Sequence, residues 1–435
     1  MDLLYPHLSV NAAGHLAIGG VDTLELAQEF GTPLYVMDEE AIRRMCRVYR
    51  RAATEAFGAD ALPLYASKAL SCRYIYRLAD EEGMGVDCVS GGELYTARRA
   101  GFPPERIYFH GNNKTDRDLQ DALDMGVGTI VVDNAEELAA LEALAGRMER
   151  TQSILLRITP GIDPHTHKAI STGQVDSKFG SAIETGQAMD MVKQALACRH
   201  ICLRGFHCHI GSQIFDHYPF VDAARIMVDF MADVRRETGF TARELNLGGG
   251  LGVPYTEYDR QVDYAAVIRE MGEEIRLICR EKDFPLPRVI LEPGRSLVAA
   301  AGITLYTVGS VKEIPGFRTY VSIDGGMPDN PRYALYNSRY TALVANCPDK
   351  EQSLRVTLAG RCCESGDLIG EDMPLQPTRR GDIVAVLTTG AYNFSMASHY
   401  NRLPRPALVM IREGQPRVVV RRETYDDLIR QDIDV

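Results

Sequence analysis

Short runs of apolar and β-branched residues recur along the first two thirds of the chain, at 62–67, 84–89, 106–109, 129–132, 153–158, 203–209, 244–247 and 288–291. The stretches between them carry apolar residues at helical spacing. Helices are expected at Gly92–Arg99, Asp116–Met125, Ala135–Met148, Gly186–Ala197, Pro219–Thr238 and Tyr264–Arg280. Eight strand–helix units over about 230 residues match the size of a (β/α)₈, TIM-like barrel. Ahead of them a helix, Leu24–Phe30, capped by Asp22 or Thr23 and stopped by Gly31, lies between strand-like Leu16–Ile18 and Leu34–Asp38. A longer helix starts near Glu39. After Glu292 the apolar runs become closely spaced, at 303–308, 319–323, 353–358, 382–387, 407–411 and 417–420, which reads as a β-rich domain. The expected architecture is α/β plus β: a barrel over 36–290 and a β-rich C-terminal domain over 291–435, joined by the N-terminal strand segment 1–35.

Composition narrows the function classes. The 435 residues are 45% hydrophobic and 25% charged, ordinary globular values that exclude a disordered, collagen-like or disulfide-stapled chain. A net charge of −11 offers no general attraction to phosphate backbones or acidic membranes, so nucleic acid is not an expected partner. The opening MDLLYPHLSVNAAGHL lacks the pattern of a secretory leader, and no apolar run approaches the ~18 residues that span a bilayer; the cytoplasm is the expected location. Ten cysteines without a C-x-x-C pair suit buried or reactive thiols better than a disulfide or zinc framework.

Barrel enzymes carry their chemistry at the C-terminal ends of the strands. Here those ends are polar: Lys68, Asp87, His110 and Asn112, Asn134, Arg157, His209 and Ser212, Gly248–Gly250, and Glu292. Lys68 follows the apolar LPLYAS, where burial is expected to lower its pKa and supply a neutral amine for an aldehyde-bearing cofactor. Gly248-Gly249-Gly250-Leu251-Gly252 follows the seventh strand, where bare backbone N–H groups suit a phosphate, although such loops also serve tight turns. The triplet His207-Cys208-His209 invites a zinc reading, but no further ligands stand at recognisable spacing, so no metal is expected. A packed histidine, or an imidazole stacked on a cofactor ring at His209, are the alternatives. Glu292 either braces the barrel with Arg295 or faces a pyridine nitrogen and keeps it protonated. Lysine, phosphate cradle and carboxylate together specify pyridoxal phosphate better than any one of them.

The chain resembles the fold-type III pyridoxal-phosphate decarboxylases that act on ornithine, diaminopimelate and arginine, and among them the diaminopimelate decarboxylases. The segments that carry the resemblance run over nearly the whole chain: PLYVMD (33–38), YASKAL (65–70), VDCVSGGEL (86–94), HGNNKT (110–115), DSKFG (176–180), HCHIGSQIFD (207–216), LNLGGGLGVPYT (245–256), EPGR (292–295), CESGD (363–367) and GAYNFSMASHYNRLPRPALVM (390–410). The region PDNPRYALY departs from an expected RPALY, and Cys362 stands where an apolar or small residue is usual.

The resemblance implies decarboxylation of meso-2,6-diaminopimelate at its D-centre to L-lysine, the last step of lysine biosynthesis, by a homodimer with shared active sites. Lys68 is then the cofactor's lysine, His209 the ring-stacking histidine and Glu292 the partner of the pyridine nitrogen. Ser212, Gly249, Gly250, Gly294 and Arg295 hold the phosphate or the substrate, Tyr392 reaches the cofactor, and Asp87 and Glu93 form an acidic pair near Lys68. Arg295, Arg332 and Tyr336 clamp the distal carboxylate. Cys363 is the general acid and Glu364 meets the distal ammonium, both reaching in from the neighbouring subunit; by residue type alone Cys362 and Cys363 are equal candidates. A racemase of this fold resembles an arginine at the Glu292 position. A sister decarboxylase lacks a need for RYALY with CESGD, and a single-barrel carrier lacks the C-terminal domain.

Overall fold

The computed structural model describes residues 3–162 and 176–435. Eight parallel strands pair in chain order: β1 (Leu62–Ala66), β2 (Gly85–Cys88), β3 (Ile107–Phe109), β4 (Thr129–Val132), β5 (Gln152–Thr159), β6 (Ile201–His207), β7 (Glu244–Asn246) and β8 (Arg288–Leu291). Pairing of β8 with β1 closes the barrel. Helices Gly91–Ala100, Asp116–Met125, Ala135–Arg147, Gln187–Ala197, Tyr218–Thr238 and Tyr264–Glu281 fill the expected gaps. Their ends obey local chemistry: Thr115 and Asp118 form a reciprocal cap, Asn134 caps the next helix, and Gly126 stops the first of these in a left-handed turn. Arg73–Glu81 is a further helix; Arg77 interrupts its short apolar face of Ile75, Tyr76, Leu78 and Ala79, which hides it in the sequence.

Strand side chains alternate, so Leu64, Tyr108, Val131, Leu155 and Ile290 meet inside the barrel as one buried cluster. Two positions further along the same strands stand Ala66, His110, Asp133, Arg157 and Glu292. The alternation that builds the apolar plug therefore delivers polar groups to the C-terminal mouth.

The chain divides into two compact units, Met45–Gly252 with Val262–Gly294, and Met1–Arg44 with Val253–Gln261 and Arg295–Val435. The second is built on a sheet in the order Leu368–Leu375, Leu354–Ala359, Arg318–Ile323, Gly302–Ile314, Leu34–Asp38, Ala407–Arg412, Gln415–Val420. The boundary expected at residue 36 falls inside Leu34–Asp38, which pairs antiparallel with Gly302–Ile314 and parallel with Ala407–Arg412. A run buried at all five positions reads equally well as a barrel strand. Among the strands that escape the sequence pattern are Ala342–Val344, which is short, and Leu368–Leu375, which Glu371-Asp372 interrupt. Leu34, Val36, Ile303, Leu305, Val409 and Ile411 form the centre of this unit's core. Among the described residues no helix is long and apolar enough to cross a membrane.

Candidate active site

Glu292, buried just beyond β8, accepts a hydrogen bond from Asn246 Nδ2 through Oε1 at 2.6 Å. His110 Nε2 lies 2.8 Å from the same oxygen, and His207 Nε2 lies 3.4 Å from Oε2. Burial alone would push this carboxyl up. The two imidazoles outweigh it and hold Glu292 well below the usual carboxylate range. Burial pushes His207 down to about 3, so near neutral pH its ring is uncharged beside Glu292. The buried Asp87, 3.8 Å from His110 Nε2, is pushed up to about 6 by burial, which outweighs the attraction of His110. One carboxylate is thus fixed ionised and its neighbour is poised near neutrality. The zinc reading of His207 fails in sequence for want of ligands, yet His110, His207 and Glu292 each offer a ligand atom within 4.8 Å of one another. Among the described residues His110 Nε2 and both ring nitrogens of His207 have no hydrogen-bond partner, so the two imidazoles act on Glu292 through proximity and electrostatics.

Lys68 corrects an expectation. It stands on a 3-10 turn, Ser67–Ala69, just after β1, and is exposed rather than buried, because the turn breaks the strand's alternation and sends Ser67 and Ala69 inward. Its charge is felt by Asp87, Glu93 and His209, which places the amine among the other strand-end groups. Glu93 has a structural task there: its Oε2 accepts from Ser67 Oγ at 2.7 Å and from the Val89 N–H at 2.8 Å, tying the Lys68 turn to the end of β2. Burial, reinforced by the charge of Lys68, holds His209 well below its ordinary value, so its ring is neutral and suited to stacking.

Beyond β7, Asn246 Oδ1 accepts from the Gly248 N–H at 2.9 Å, so the side chain that holds Glu292 also holds the glycine turn. A Cβ on Gly249 would lie 2.0 Å from the Glu292 carbonyl oxygen, and one on Gly250, at φ +126, would lie 2.3 Å from the Gly211 carbonyl oxygen. Among the described residues neither the Gly249 nor the Gly250 N–H has an acceptor. Ser212 is half-buried on the facing loop and Gly294 is buried. These features fit pyridoxal phosphate: a fixed carboxylate for the ring nitrogen, bare amides for the phosphate and an amine for the aldehyde. Gly249→Ala is expected to weaken cofactor binding about tenfold or more, as overpacking of about 1–3 kcal/mol displaces the turn. Titration of the apoenzyme by cofactor absorbance reads the effect; unchanged affinity would show that the turn takes no part.

In the second unit Arg295 and Arg332 are buried at the starts of two short helices, Arg295–Val298 and Arg332–Tyr336. Arg295 Nη1 donates to Tyr255 Oη at 2.7 Å, and Arg332 Nη1 donates to Tyr340 Oη at 2.9 Å. The Arg295 guanidinium lies 4.7 Å from the ring centre of Tyr392, itself held at φ 60. Tyr336 is half-buried at the end of its helix. Cys363 and Glu364 are exposed on the loop after Leu354–Ala359. That loop is fixed by Asn401 Oδ1, which accepts from the Cys363 N–H at 2.7 Å, and by buried Asp367, whose Oδ2 accepts from the Cys362 N–H at 2.7 Å. Sequence reasoning noted His110 without a role and passed over Asn246, Tyr255 and Tyr340. Tyr255 carries a signal only as the end of the glycine-rich segment.

The pyridoxal-binding domain of the pyridoxal-dependent decarboxylases matches residues 40–299. The chain belongs to this family. It is 49% identical over 423 residues to the diaminopimelate decarboxylase of Bacillus subtilis (strain 168), covering 97% of this chain and 96% of that one. The Synechocystis diaminopimelate decarboxylase is 43% identical, with 97% and 91% covered. The crystal structure of a diaminopimelate decarboxylase from M. jannaschii in co-complex with L-lysine matches with a TM-score of 0.92 at 38% identity, covering 99% and 98%. The barrel with its β-rich companion, and pyridoxal phosphate as cofactor, follow from this membership.

Proposed function

We propose that the chain decarboxylates meso-2,6-diaminopimelate at its D-centre, giving L-lysine and carbon dioxide as the last step of lysine biosynthesis. The observation that carries this is the buried pair Arg295 and Arg332, in a chain 49% identical to a diaminopimelate decarboxylase over nearly its full length. Two guanidinium groups match a carboxylate at the far end of the substrate; a diamine or mono-acid brings no anion to them.

Lys68 holds the aldehyde of the cofactor, Glu292 its ring nitrogen and His209 its ring face, with Asp87 beside them. Ser212, Gly249, Gly250, Gly294 and Arg295 hold its phosphate side, and Tyr392 reaches it. Bound there, pyridoxal phosphate takes up the electron pair left when the bond to the departing carboxylate breaks. Arg295, Arg332 and Tyr336 fix the distal carboxylate and Glu364 the distal ammonium, which orients the D-centre for loss of its own carboxylate. Cys363 then delivers a proton to that carbon. The exposure of Cys363 in a single chain supports a homodimer in which that loop completes the neighbouring subunit's site, since a proton donor to a carbanion works best away from water. The cytoplasm is the proposed location.

Carbon dioxide release from a panel of meso-, LL- and DD-diaminopimelate, ornithine, arginine and D-lysine tests the reading. Meso-diaminopimelate is expected to dominate, and equal turnover of ornithine would overturn it. Arg332→Ala is expected to raise KM for meso-diaminopimelate by about a hundredfold, from loss of a charge-assisted pair. D-lysine, which lacks the distal carboxylate, should be little affected; an equal loss on both would assign Arg332 a different role.

A further inference from the structure

The glycine-rich segment does not stay with the barrel. Immediately after Gly252 the chain joins the second unit for Val253–Gln261 and then returns at Val262. This excursion carries Tyr255 to the two buried arginines. We propose that Tyr255 is a specificity-determining residue, whose hydroxyl donates to the distal carboxylate of the substrate between Arg295 and Arg332. The proposal rests on the reading of those arginines as the distal clamp.

Tyr255 is anchored from both sides of its backbone, for its N–H donates to Asp259 Oδ2 at 2.8 Å and its carbonyl oxygen accepts from Thr341 Oγ1 at 3.0 Å. The buried ring packs edge-on against Tyr340 at 5.4 Å and 81°, and the Arg332 guanidinium lies 5.0 Å from its centre. The hydroxyl oxygen accepts from Arg295 Nη1 at 2.7 Å, and the charge of Arg332 acts on it as well. A phenol oxygen that accepts from one guanidinium, beside a second one over its ring, has its O–H left to offer, and an anion arriving between those cations is the natural acceptor. A neutral phenol also leaves the arginines their charge, where an aspartate or glutamate would compete with the substrate. Among the described residues no carboxylate pairs with Arg332.

The charged and titratable groups facing the ring are Arg295, Arg332 and Tyr340, with Asp259 on its backbone N–H; the Tyr392 ring centre lies 4.7 Å from the Arg295 guanidinium. Burial would raise the phenol's pKa, but the two guanidinium groups outweigh it and bring it below the ordinary value. Ionisation removes the donor and sets a negative charge against the incoming carboxylate. KM for meso-diaminopimelate should therefore rise at alkaline pH, beginning below the tyrosine range of about 10.

The test is Tyr255→Phe in the full-length holoenzyme, with Arg332→Ala alongside. Tyr255→Phe should raise KM for meso-diaminopimelate about tenfold, the loss of a hydrogen bond to a charged group, with kcat within about twofold. D-lysine, as substrate or competitive inhibitor, should be unaffected, and the alkaline rise in KM should vanish. An unchanged KM, an alkaline rise that persists, or an equal loss with D-lysine would overturn the proposal. If Arg332→Ala separates the two ligands while Tyr255→Phe does not, the clamp stands and Tyr255 alone is misassigned. If Arg332→Ala fails to separate them, the clamp reading falls and takes this proposal with it.

Discussion

Glu292→Gln is expected to lower kcat about a hundredfold or more, while the absorbance of bound cofactor persists. The wild-type carboxylate is fixed by Asn246 Nδ2 at 2.6 Å on Oε1, with His110 Nε2 lying 2.8 Å from the same oxygen and His207 Nε2 3.4 Å from the other. An amide of the same shape fits the space but carries no charge with which to keep a proton on a pyridine nitrogen. It also turns an N–H₂ toward groups that are themselves donors. The pH dependence has a defined sign. Because the folded carboxyl lies below its ordinary value of about 4.3, the ionised carboxylate in its polar surroundings stabilises the native barrel above that pH, and this contribution is lost as pH falls through the folded value. The acid limb of the wild-type rate profile should then owe nothing to Glu292 near neutrality; Asp87, at about 6, is the group expected there. A Glu292→Gln enzyme with unchanged kcat would reduce the residue to a brace between strands.

The chemistry was legible where it depends on position along a strand. Alternation and the rule that barrel enzymes work at C-terminal strand ends together select Lys68, Asp87, His110, His209 and Glu292 without any knowledge of contacts. What a residue meets across the barrel was not legible. His110 and His207 stand 97 residues apart in the sequence, yet their rings are 4.7 Å apart and both address Glu292. The exposure of Lys68 is not legible in the sequence, because an apolar flank says how a strand is buried and nothing of the 3-10 turn that ends it. The local pattern of Leu34–Asp38 reads as a strand, but its partners, Gly302–Ile314 and Ala407–Arg412, lie more than 250 residues away and are invisible to such a pattern. Tyr255 is silent in the sequence for a similar reason, since its meaning comes from two arginines on distant helices.

Mixing two dead variants is expected to restore activity. Lys68→Ala removes the amine that holds the cofactor, and Cys363→Ala removes the proton donor, so each homodimer should be nearly inactive. Lys68 belongs to the barrel unit and Cys363 to an exposed loop of the other. In the proposed homodimer each site takes Lys68 from one subunit and Cys363 from its partner. Random exchange makes half of the dimers mixed. Each mixed dimer holds one site with both defects and one with neither, so about a quarter of wild-type activity should return. Were both residues to act within one chain, a mixed dimer would hold two singly damaged sites and recover nothing. Exchange must be shown independently, by two affinity tags recovered on one dimer. Tagged mixed dimers without activity would reject the shared site and leave the decarboxylase standing, because the family membership and the Lys68–Glu292 arrangement do not depend on it.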